Sequence, residues 1–208
     1  FGCVAMLHRP ISRDALTLLN EVGRGAVGVV YAAKMDGKSV AVKVFKPSSA
    51  GFNMHEFCLE VALMTALEHP RVVGAYGASI HMPDLFIVSK LLQQNLAELI
   101  YQSNAPLSVA HIRQIAMDVV DGMHYLHASG VIHRDLKPQN IFLDADDNIK
   151  IGDLGLGRIL SSQTLYAHTG VGTPLYMSPE LVEELPYNEK SDIWGLGCLM
   201  YELAARKP

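Results

Sequence analysis

Short apolar runs separated by turn residues occupy the first part of the chain. The runs are rich in β-branched residues, and Asp36-Gly37 stands between two of them, which is typical of an antiparallel hairpin. Met82-Pro83-Asp84 separates a later pair in the same way. The pattern predicts five strands, formed around residues 18–19, 27–32, 39–44, 72–80 and 85–89.

Between the third and fourth runs, apolar residues recur every three or four positions. This spacing places them on one face of an amphipathic helix, which His69-Pro70 is expected to end. The predicted face consists of Met54, Phe57, Val61, Met64 and Leu67. Five strands and one helix therefore make up the first predicted unit.

The rest of the chain has mainly helical spacing, with Ser108 as a predicted N-cap and Ser129-Gly130 as a predicted helix end. Helices are expected over residues 95–101, over 108–129, near Glu180 and over 191–204. The buried face expected for the last of these consists of Ile193, Leu196, Met200 and Leu203.

Two short strands, 141–143 and 149–151, are predicted on either side of an acidic turn. The long segment 156–175 has no clear periodicity, which is typical of a functional lid or switch. The whole pattern predicts an α+β fold of two lobes, with a five-stranded antiparallel sheet and one helix in the first and mostly helices in the second. The expected boundaries are an extension over 1–15, a β-rich lobe over 16–92 and a helical lobe over 93–208.

Composition narrows the function classes. The 208 residues are 50% hydrophobic and 18% charged, with a net charge of −4 at pH 7. No apolar run approaches 18 residues and no basic block occurs, so neither disorder, a membrane span nor nucleic-acid binding is expected. The three cysteines are far apart and suggest a reducing compartment, with the cytoplasm as the expected location. The first residues lack the pattern of a signal peptide, and the missing initiator Met suggests a fragment.

Residues 23–28 read Gly-Arg-Gly-Ala-Val-Gly and run directly into a predicted strand. A dinucleotide-binding loop would instead open a helix. Gly23, Gly25 and Gly28 therefore fit a hairpin flap whose backbone N–H groups approach phosphate oxygens, while an ordinary glycine-rich turn fits about equally well.

Lys43 ends the apolar run Val40-Ala41-Val42 and is expected to be half-buried. A buried ammonium needs a partner. Both Glu56 and Glu60 lie on the following helix, and Glu60 is the better candidate because it adjoins the predicted buried face. A solvent-exposed lysine at a strand edge is the alternative.

The most specific segment is 133–140, which reads His-Arg-Asp-Leu-Lys-Pro-Gln-Asn. In it, Asp135 can accept a hydroxyl proton, Lys137 can neutralise charge on a transferred phosphoryl group, and Asn140 can hold a cation. Asp153 in Asp-Leu-Gly follows a predicted strand and offers a carboxylate to Mg²⁺.

These motifs together resemble the eukaryotic protein kinases over Leu18 to Pro208. The resemblance includes Val-Ala-Val-Lys at 40–43, Ser-Pro-Glu at 178–180 and Ser-Asp-Ile-Trp-Gly at 191–195. Lys137 and Gly-Thr-Pro at 172–174 are similar to the serine/threonine branch. Within it, 152–158 and 171–180 are similar to the NIMA-related kinases.

The resemblance implies transfer of the ATP γ-phosphoryl group to Ser or Thr hydroxyls of protein substrates, with ATP and Mg²⁺ as cofactors. Asp135 and Lys137 would act at the reacting groups, Lys43 paired with Glu60 would hold the phosphates, and Asn140 and Asp153 would bind Mg²⁺. The residues expected around the nucleotide are the three loop glycines, Val30, Ala41, Lys43, Lys90, Leu92 and Phe142. Asp192 would brace the catalytic loop.

The resemblance also implies regulation by phosphorylation. A phosphate in the segment after Asp153 could pair with Arg134. The candidates are Ser161, Ser162, Thr164, Thr169 and Thr173, of which Thr169 is preferred by its position and Thr173 is expected to belong to the substrate groove. Association with microtubule or centrosome proteins is a further expectation from the NIMA-related kinases.

The chain departs from the family by stopping after the helix at 191–204. Glu180 is therefore expected to lack its usual arginine partner, and a hydrophobic face is expected to be exposed. Lys90 and Asn95 stand where acidic residues are frequent. Two alternatives to an active kinase remain: a truncated or pseudokinase-like nucleotide-binding scaffold, and a small-molecule phosphotransferase. Retention of the charged motif residues counts against the first, and the Ser-Pro-Glu segment counts against the second.

Overall fold

The computed structural model of this chain describes residues 9–25, 27–102, 107–154, 158–159 and 174–208. These residues form two compact units. The first contains the described residues up to Glu68 together with Val73–Leu92, and the second contains His69–Val72 together with the described residues from Gln93 onward. The segment His69–Val72 thus packs with the second unit although it precedes the boundary expected after residue 92, because Val72 pairs with Ile151.

In the described residues, the first unit has one five-stranded antiparallel sheet, as predicted. Its strands are β1 (Thr17–Arg24), β2 (Gly28–Met35), β3 (Lys38–Phe45), β4 (Ala75–His81) and β5 (Asp84–Lys90). Within the sheet they lie in the order β1-β2-β3-β5-β4. The fourth strand was predicted from Val72 but begins at Ala75, since Val72 belongs to the second unit.

Alternation along β3 separates the two faces of this sheet. Val40 and Val42 are fully buried in a core with Leu16 and Phe86. Ala41 and Lys43, which alternate with them along the strand, point to the opposite face. The sheet therefore buries an apolar layer on one side and presents a lysine on the other.

Helix α1 (Met54–Ala66) covers the face that carries Lys43. Asn53 is its N-cap and accepts hydrogen bonds from the amides of His55 and Glu56. Phe57 packs edge-on against Phe45 of β3, with ring centroids 4.8 Å apart. The helix ends just ahead of His69-Pro70, as the sequence predicted.

The second unit is mostly helical and also contains short paired strands. The elements in order are β6 (Gln94–Asn95), α2 (Leu96–Gln102), α3 (Val109–Ala128), β7 (Val131–Ile132), β8 (Ile141–Leu143), β9 (Ile149–Ile151), β10 (Arg158–Ile159), α4 (Pro179–Val182) and α5 (Lys190–Ala205). Strands β6, β8 and β9 form one antiparallel sheet, and β7 pairs with β10.

Helix α3 matches its prediction closely. The hydroxyl of Ser108 accepts a hydrogen bond from the amide of His111 at 3.1 Å and caps the helix. Apolar residues recur every three or four positions along the helix and are buried at Ile115, Val119, Met123 and Leu126. Strands β8 and β9 also have the bounds that the sequence predicted.

The predicted buried face of α5 is only partly correct. Leu203 is fully buried as predicted, Leu196 and Met200 are half-buried, and Ile193 is 50% exposed. The buried side of the helix also carries Asp192, Gly195, Leu199 and Glu202. A Cβ atom at Gly195 would lie 3.3 Å from the carbonyl oxygen of Leu136, so the helix approaches that backbone closely. Polar and backbone contacts, rather than apolar spacing, select which side of α5 faces inward.

None of the helices in the described residues combines the length and the apolar composition needed to cross a bilayer.

Candidate active site

The predicted site residues fall in both units, so each group is described within its own unit. In the first unit, the amide of Gly25 donates to the carbonyl oxygen of Gly28 at 2.9 Å and closes the turn between β1 and β2. Ala26 lies outside the described residues. The glycine-rich segment is therefore a hairpin turn and does not open a helix, as the sequence indicated.

The three glycines of this hairpin have different surroundings. A Cβ atom at Gly28 would lie 2.4 Å from the carbonyl oxygen of Val44, so packing against β3 by itself requires glycine there. At Gly23 and Gly25 the nearest atoms would be 3.9 Å away, which is ordinary contact. Packing against β3 thus explains why residue 28 is glycine, which the sequence did not reveal. At Gly23 and Gly25 a ligand has room to approach the backbone closely.

Lys43 and Glu60 form the predicted ion pair, with Nζ and Oε1 2.7 Å apart. The Glu60 side chain is only 5% exposed and that of Lys43 is 27% exposed. The ammonium also lies 5.1 Å from the ring centroid of Phe45. Glu56, the other candidate partner, is exposed. A buried carboxylate needs a cation, so the pair holds the lysine in one place.

The register of the sheet shows on which face two of the residues predicted to surround a nucleotide lie. Val30 pairs with Lys43, and Ala41 pairs with Ser89, so Val30 and Ala41 share the sheet face of Lys43. Lys90 is exposed at the end of β5, and Leu92 is half-buried. In the second unit, Phe142 is half-buried on β8.

The catalytic-loop candidate in the second unit is braced by Asp192 of α5, as expected from the resemblance. One carboxylate oxygen of Asp192 accepts the amide of His133 and the other accepts the amide of Arg134, both at 2.8 Å. Arg134 has a positive φ of 73°. Two charge-assisted hydrogen bonds, donated by loop amides to a buried carboxylate, thus hold the loop in a strained conformation.

His127 is a further partner of Asp192, and the sequence did not indicate it. Its Nε2 lies 2.8 Å from Asp192 Oδ2. The spacing of His127 along the helix could have indicated a buried contact, because His127 follows Val119 and Met123 at four-residue intervals on the buried side of α3. A polar side chain on a buried face needs a polar partner.

Asp135, Lys137 and Asn140 lie together, as predicted. Lys137 Nζ is 2.6 Å from Asp135 Oδ2, and the Asn140 amide donates to the same oxygen at 2.9 Å. The Asn140 amide also donates to the Asp135 backbone carbonyl at 2.8 Å. Asp135 is buried, and these contacts fix the direction of its carboxylate.

Asp153 follows β9 and is exposed, with a positive φ of 54°. The amide of Gly152 donates to the carbonyl oxygen of Asn140 at 2.9 Å, which links the backbones of the two predicted metal ligands. An amide oxygen and a carboxylate are the donor types that Mg²⁺ prefers, so these residues fit that ion. Within the described residues, no group of three or more His, Cys, Asp or Glu is arranged to hold a metal.

The regulatory prediction concerns residues that the structure describes only in part. Arg134 lies with its guanidinium carbon 5.2 Å from the ring centroid of Tyr187. The phosphorylation candidates, namely Ser161, Ser162, Thr164, Thr169 and Thr173, lie outside the described residues. So does Gly155 of the Asp-Leu-Gly segment.

Glu180 has a hydroxyl partner in this chain that the sequence did not indicate. The hydroxyl of Ser191 donates to Glu180 Oε1 at 2.5 Å. Burial by itself would raise the pKa of the Glu180 carboxyl, but hydrogen bonds from Ser191 and from its own backbone amide outweigh burial and hold the pKa below its ordinary value.

Helix α5 carries a second buried carboxylate besides Asp192, and the sequence did not indicate its role. Glu202 is 2% exposed and accepts hydrogen bonds from the hydroxyls of Tyr101 and Tyr176. Burial and the bond to Glu202 raise the pKa of Tyr101 to about 12, and they raise the pKa of Tyr176 as well. Glu202 thus joins α2, α5 and the segment before α4.

Comparisons with known proteins agree with these motifs. The protein kinase domain family matches residues 16–208. A probable serine/threonine-protein kinase of Dictyostelium discoideum is 37% identical over 199 residues, which cover 95% of this chain and 14% of the relative. A second probable serine/threonine-protein kinase of that organism is 35% identical over 205 residues, covering 96% of this chain and 12% of the relative.

The serine/threonine-protein kinase CTR1 of Arabidopsis thaliana is 36% identical over 195 residues, which cover 91% of this chain and 24% of that protein. The chain therefore spans a quarter or less of the length of these relatives. With the family match over residues 16–208 and the braced catalytic loop, the chain belongs to the protein kinase domain family.

Proposed function

We propose that this chain is an ATP-dependent serine/threonine protein kinase that transfers the γ-phosphoryl group of ATP to Ser or Thr hydroxyls of protein substrates. The observation that carries the proposal is the arrangement of Lys137 and Asn140 on the carboxylate of Asp135, in a loop braced by Asp192. Protein kinases in general use ATP and Mg²⁺. The relatives described above are named as serine/threonine kinases.

In the first unit, Lys43 would contact the ATP phosphates, with Glu60 holding its ammonium in place. The hairpin at Gly23 and Gly25 would lie against the phosphates, because no side chain intervenes there. The residues proposed to contact the base and its surroundings are Val30, Ala41, Lys90, Leu92 and Phe142. Their placement on the Lys43 sheet face supports the proposal for Val30 and Ala41.

In the second unit, Asp135 would accept the hydrogen bond of the substrate hydroxyl and take its proton as the new bond forms. Lys137 lies on the same carboxylate and would neutralise charge on the transferred group. Asn140 and Asp153 would hold Mg²⁺, which would supply positive charge to the phosphates when bound. Bracing by Asp192 keeps these groups oriented before substrate arrives, which reduces reorganisation during the reaction.

The first prediction tests the proton acceptor. Asp135→Asn keeps the shape of the side chain but removes its basicity, so phosphate transfer should fall by about 10²- to 10⁴-fold. Transfer of radiolabelled phosphate from ATP to a generic protein acceptor measures this effect.

Asp147→Asn is the matched control, because Asp147 is exposed and its positive φ of 59° suits asparagine. Its rate should equal that of the wild type. ATP binding without transfer by the wild type would instead favour the nucleotide-binding scaffold.

A narrower part of the proposal places the chain near the NIMA-related kinases, on the residues at 152–158 and 171–180. On this proposal its partners include microtubule- or centrosome-associated proteins and it acts in the cytoplasm. The location of a fluorescent fusion relative to microtubules in cells tests this part, and a distribution unrelated to them would contradict it.

The second prediction concerns regulation through Arg134 and Thr169. A phosphate at Thr169 would carry about −1.5 to −2 charges and pair with Arg134. Thr169→Ala should therefore lower the transfer rate, while Thr169→Glu should retain part of it. Equal rates for both variants and the wild type would rule out this regulation.

A further inference from the structure

The segment His69–Val72, called the strap from here on, lies against strand β9 in the second unit. The amide of Ile151 donates to the carbonyl oxygen of Arg71 at 2.7 Å, and Val72 pairs with Ile151 in parallel. Along its other edge, β9 pairs with β8. A strand as short as β9 is marginal without such neighbours, so the strap stabilises its position.

The side chain of Arg71 joins the strap to two further elements. One guanidinium nitrogen lies 2.9 Å from the carboxylate of Asp118 on α3, and another donates to the side-chain oxygen of Asn148 at 3.3 Å. The Arg71 and Asp118 side chains are 22% and 10% exposed, so water screens the pair only weakly. Because Asn148 immediately precedes β9, the guanidinium ties the start of that strand to α3.

Helix α3 also packs directly on the strap and on β9. A Cβ atom at Gly122 would lie 2.6 Å from Ile151 Cδ1 and 3.1 Å from the Arg71 carbonyl oxygen. His69 stacks on Tyr125 with ring centroids 4.6 Å apart, and its Nδ1 accepts the amide of Arg71 at 3.2 Å. The strap therefore has one well-defined position on α3.

The chain leads from β9 straight to Asp153. The amide of Gly152 donates to the Asn140 carbonyl oxygen at 2.9 Å, and the ring of His133 contacts the Gly152 carbonyl at 2.9 Å. The two residues before Asp153 are thus held by Arg71 on one side and by the catalytic loop on the other. The position of Asp153 relative to Asn140 depends on both.

We propose that Arg71 is a positioning residue for the metal-binding pair: it holds β9 so that Asp153 keeps its place relative to Asn140. The inference rests on the proposed function, in which Asn140 and Asp153 bind Mg²⁺. Arg71 acts through β9 and not on the metal itself. Its loss should therefore weaken metal binding more than it lowers the transfer rate at saturating metal.

The test compares Arg71→Met with Arg113→Met, a matched change at an exposed arginine of α3. Binding of Mn²⁺ in the presence of a non-hydrolysable ATP analogue is followed by electron paramagnetic resonance on the 208-residue protein. Arg71→Met should raise the dissociation constant for Mn²⁺ about tenfold, the usual effect of removing an outer support of a metal site. Arg113→Met should leave it unchanged. Hydrogen exchange at the Ile151 amide should quicken in Arg71→Met only.

Arg71→Met leaves the Asp118 carboxylate without its cation, which could unfold the protein. Arg71→Met/Asp118→Asn removes that charge and should fold while still binding Mn²⁺ weakly. Wild-type affinity for Mn²⁺ in either folded variant would overturn the role of Arg71 and leave the proposed function standing. Failure of the wild type itself to bind Mn²⁺ with the analogue would instead overturn the proposed function, and this inference with it.

Discussion

At the scale of single residues, the buried carboxylate of Asp192 contacts three groups at the candidate catalytic loop. It is 2% exposed and has hydrogen-bonding contacts with the amides of His133 and Arg134 and with the ring of His127. Hydrogen bonds to a charged group contribute roughly 1.5–3 kcal/mol each, so this one side chain has a large influence on the loop. The positive φ of Arg134 can persist because the surrounding contacts determine it.

The third prediction follows from the lowered pKa of Glu180. A carboxyl with a folded-state pKa below its unfolded value adds stability above the unfolded pKa, and that stability is lost as the pH falls through the folded pKa. Ser191→Ala removes the main donor, so it should reduce the loss of unfolding free energy between about pH 6 and about pH 4. Urea unfolding at both pH values measures the difference. The same pH-dependent loss in Ser191→Ala and in the wild type would contradict it.

At the scale of elements, the β1–β2 hairpin shows how one motif serves two purposes. Gly28 is required by the approach of β3, because a Cβ atom would lie 2.4 Å from the Val44 carbonyl oxygen. Gly23 and Gly25 have room for a methyl group. An external ligand therefore explains better than packing why these two positions are glycine.

The fourth prediction separates the packing role of Gly28 from the ligand-binding role proposed for Gly25. Gly28→Ala should lower the free energy of unfolding by roughly 1–3 kcal/mol through overpacking. Gly25→Ala should change it by less than about 0.5 kcal/mol, while weakening binding of an ATP analogue. Thermal unfolding and calorimetric titration measure the two effects. Equal unfolding temperatures for Gly28→Ala and the wild type would show that the hairpin relaxes around the added methyl group.

Helix α5 is the element on which prediction and structure differ most. Its inward side carries Asp192 and Glu202, while Ile193 and Trp194 are about half exposed. Trp194 lines an apolar groove of about 660 Å³ with Leu175 and Tyr201. The expected exposed hydrophobic face is therefore present on this helix.

At the scale of the whole molecule, each unit has its own packed interior. Leu16, Val42 and Phe86 belong to the core of the first, and α3 packs on β9 in the second. A nucleotide that binds the folded protein and not the unfolded chain should stabilise the folded state.

The fifth prediction uses this linkage. At a concentration of one hundred times its dissociation constant, a non-hydrolysable ATP analogue with Mg²⁺ should add about 2.7 kcal/mol to the free energy of unfolding. Removing Mg²⁺ with a chelator should abolish most of the gain. Thermal unfolding measures the effect. An unfolding temperature that is indifferent to the analogue would argue against nucleotide binding.

Local pattern by itself determined much of this protein. The bounds of β8 and β9, the cap at Ser108 and the buried side of α3 follow from residue types a few positions apart. The meeting of Asp135, Lys137 and Asn140 was predictable for the same reason, because the three lie within six residues. The Lys43–Glu60 pair was predictable because a half-buried lysine needs a carboxylate and the next helix offers one beside its apolar face.

Only the tertiary structure decided which side of α5 faces inward, why Gly28 must be glycine, and which partners His127 and Arg71 have. His127 and Asp192 are 65 residues apart, and Arg71 and Asn148 are 77 apart. Such contacts depend on how distant elements pack, and residue spacing along one element carries no information about that. Where a buried polar group selects the packing side, as Asp192 does, it overrides the apolar periodicity from which the sequence prediction was made.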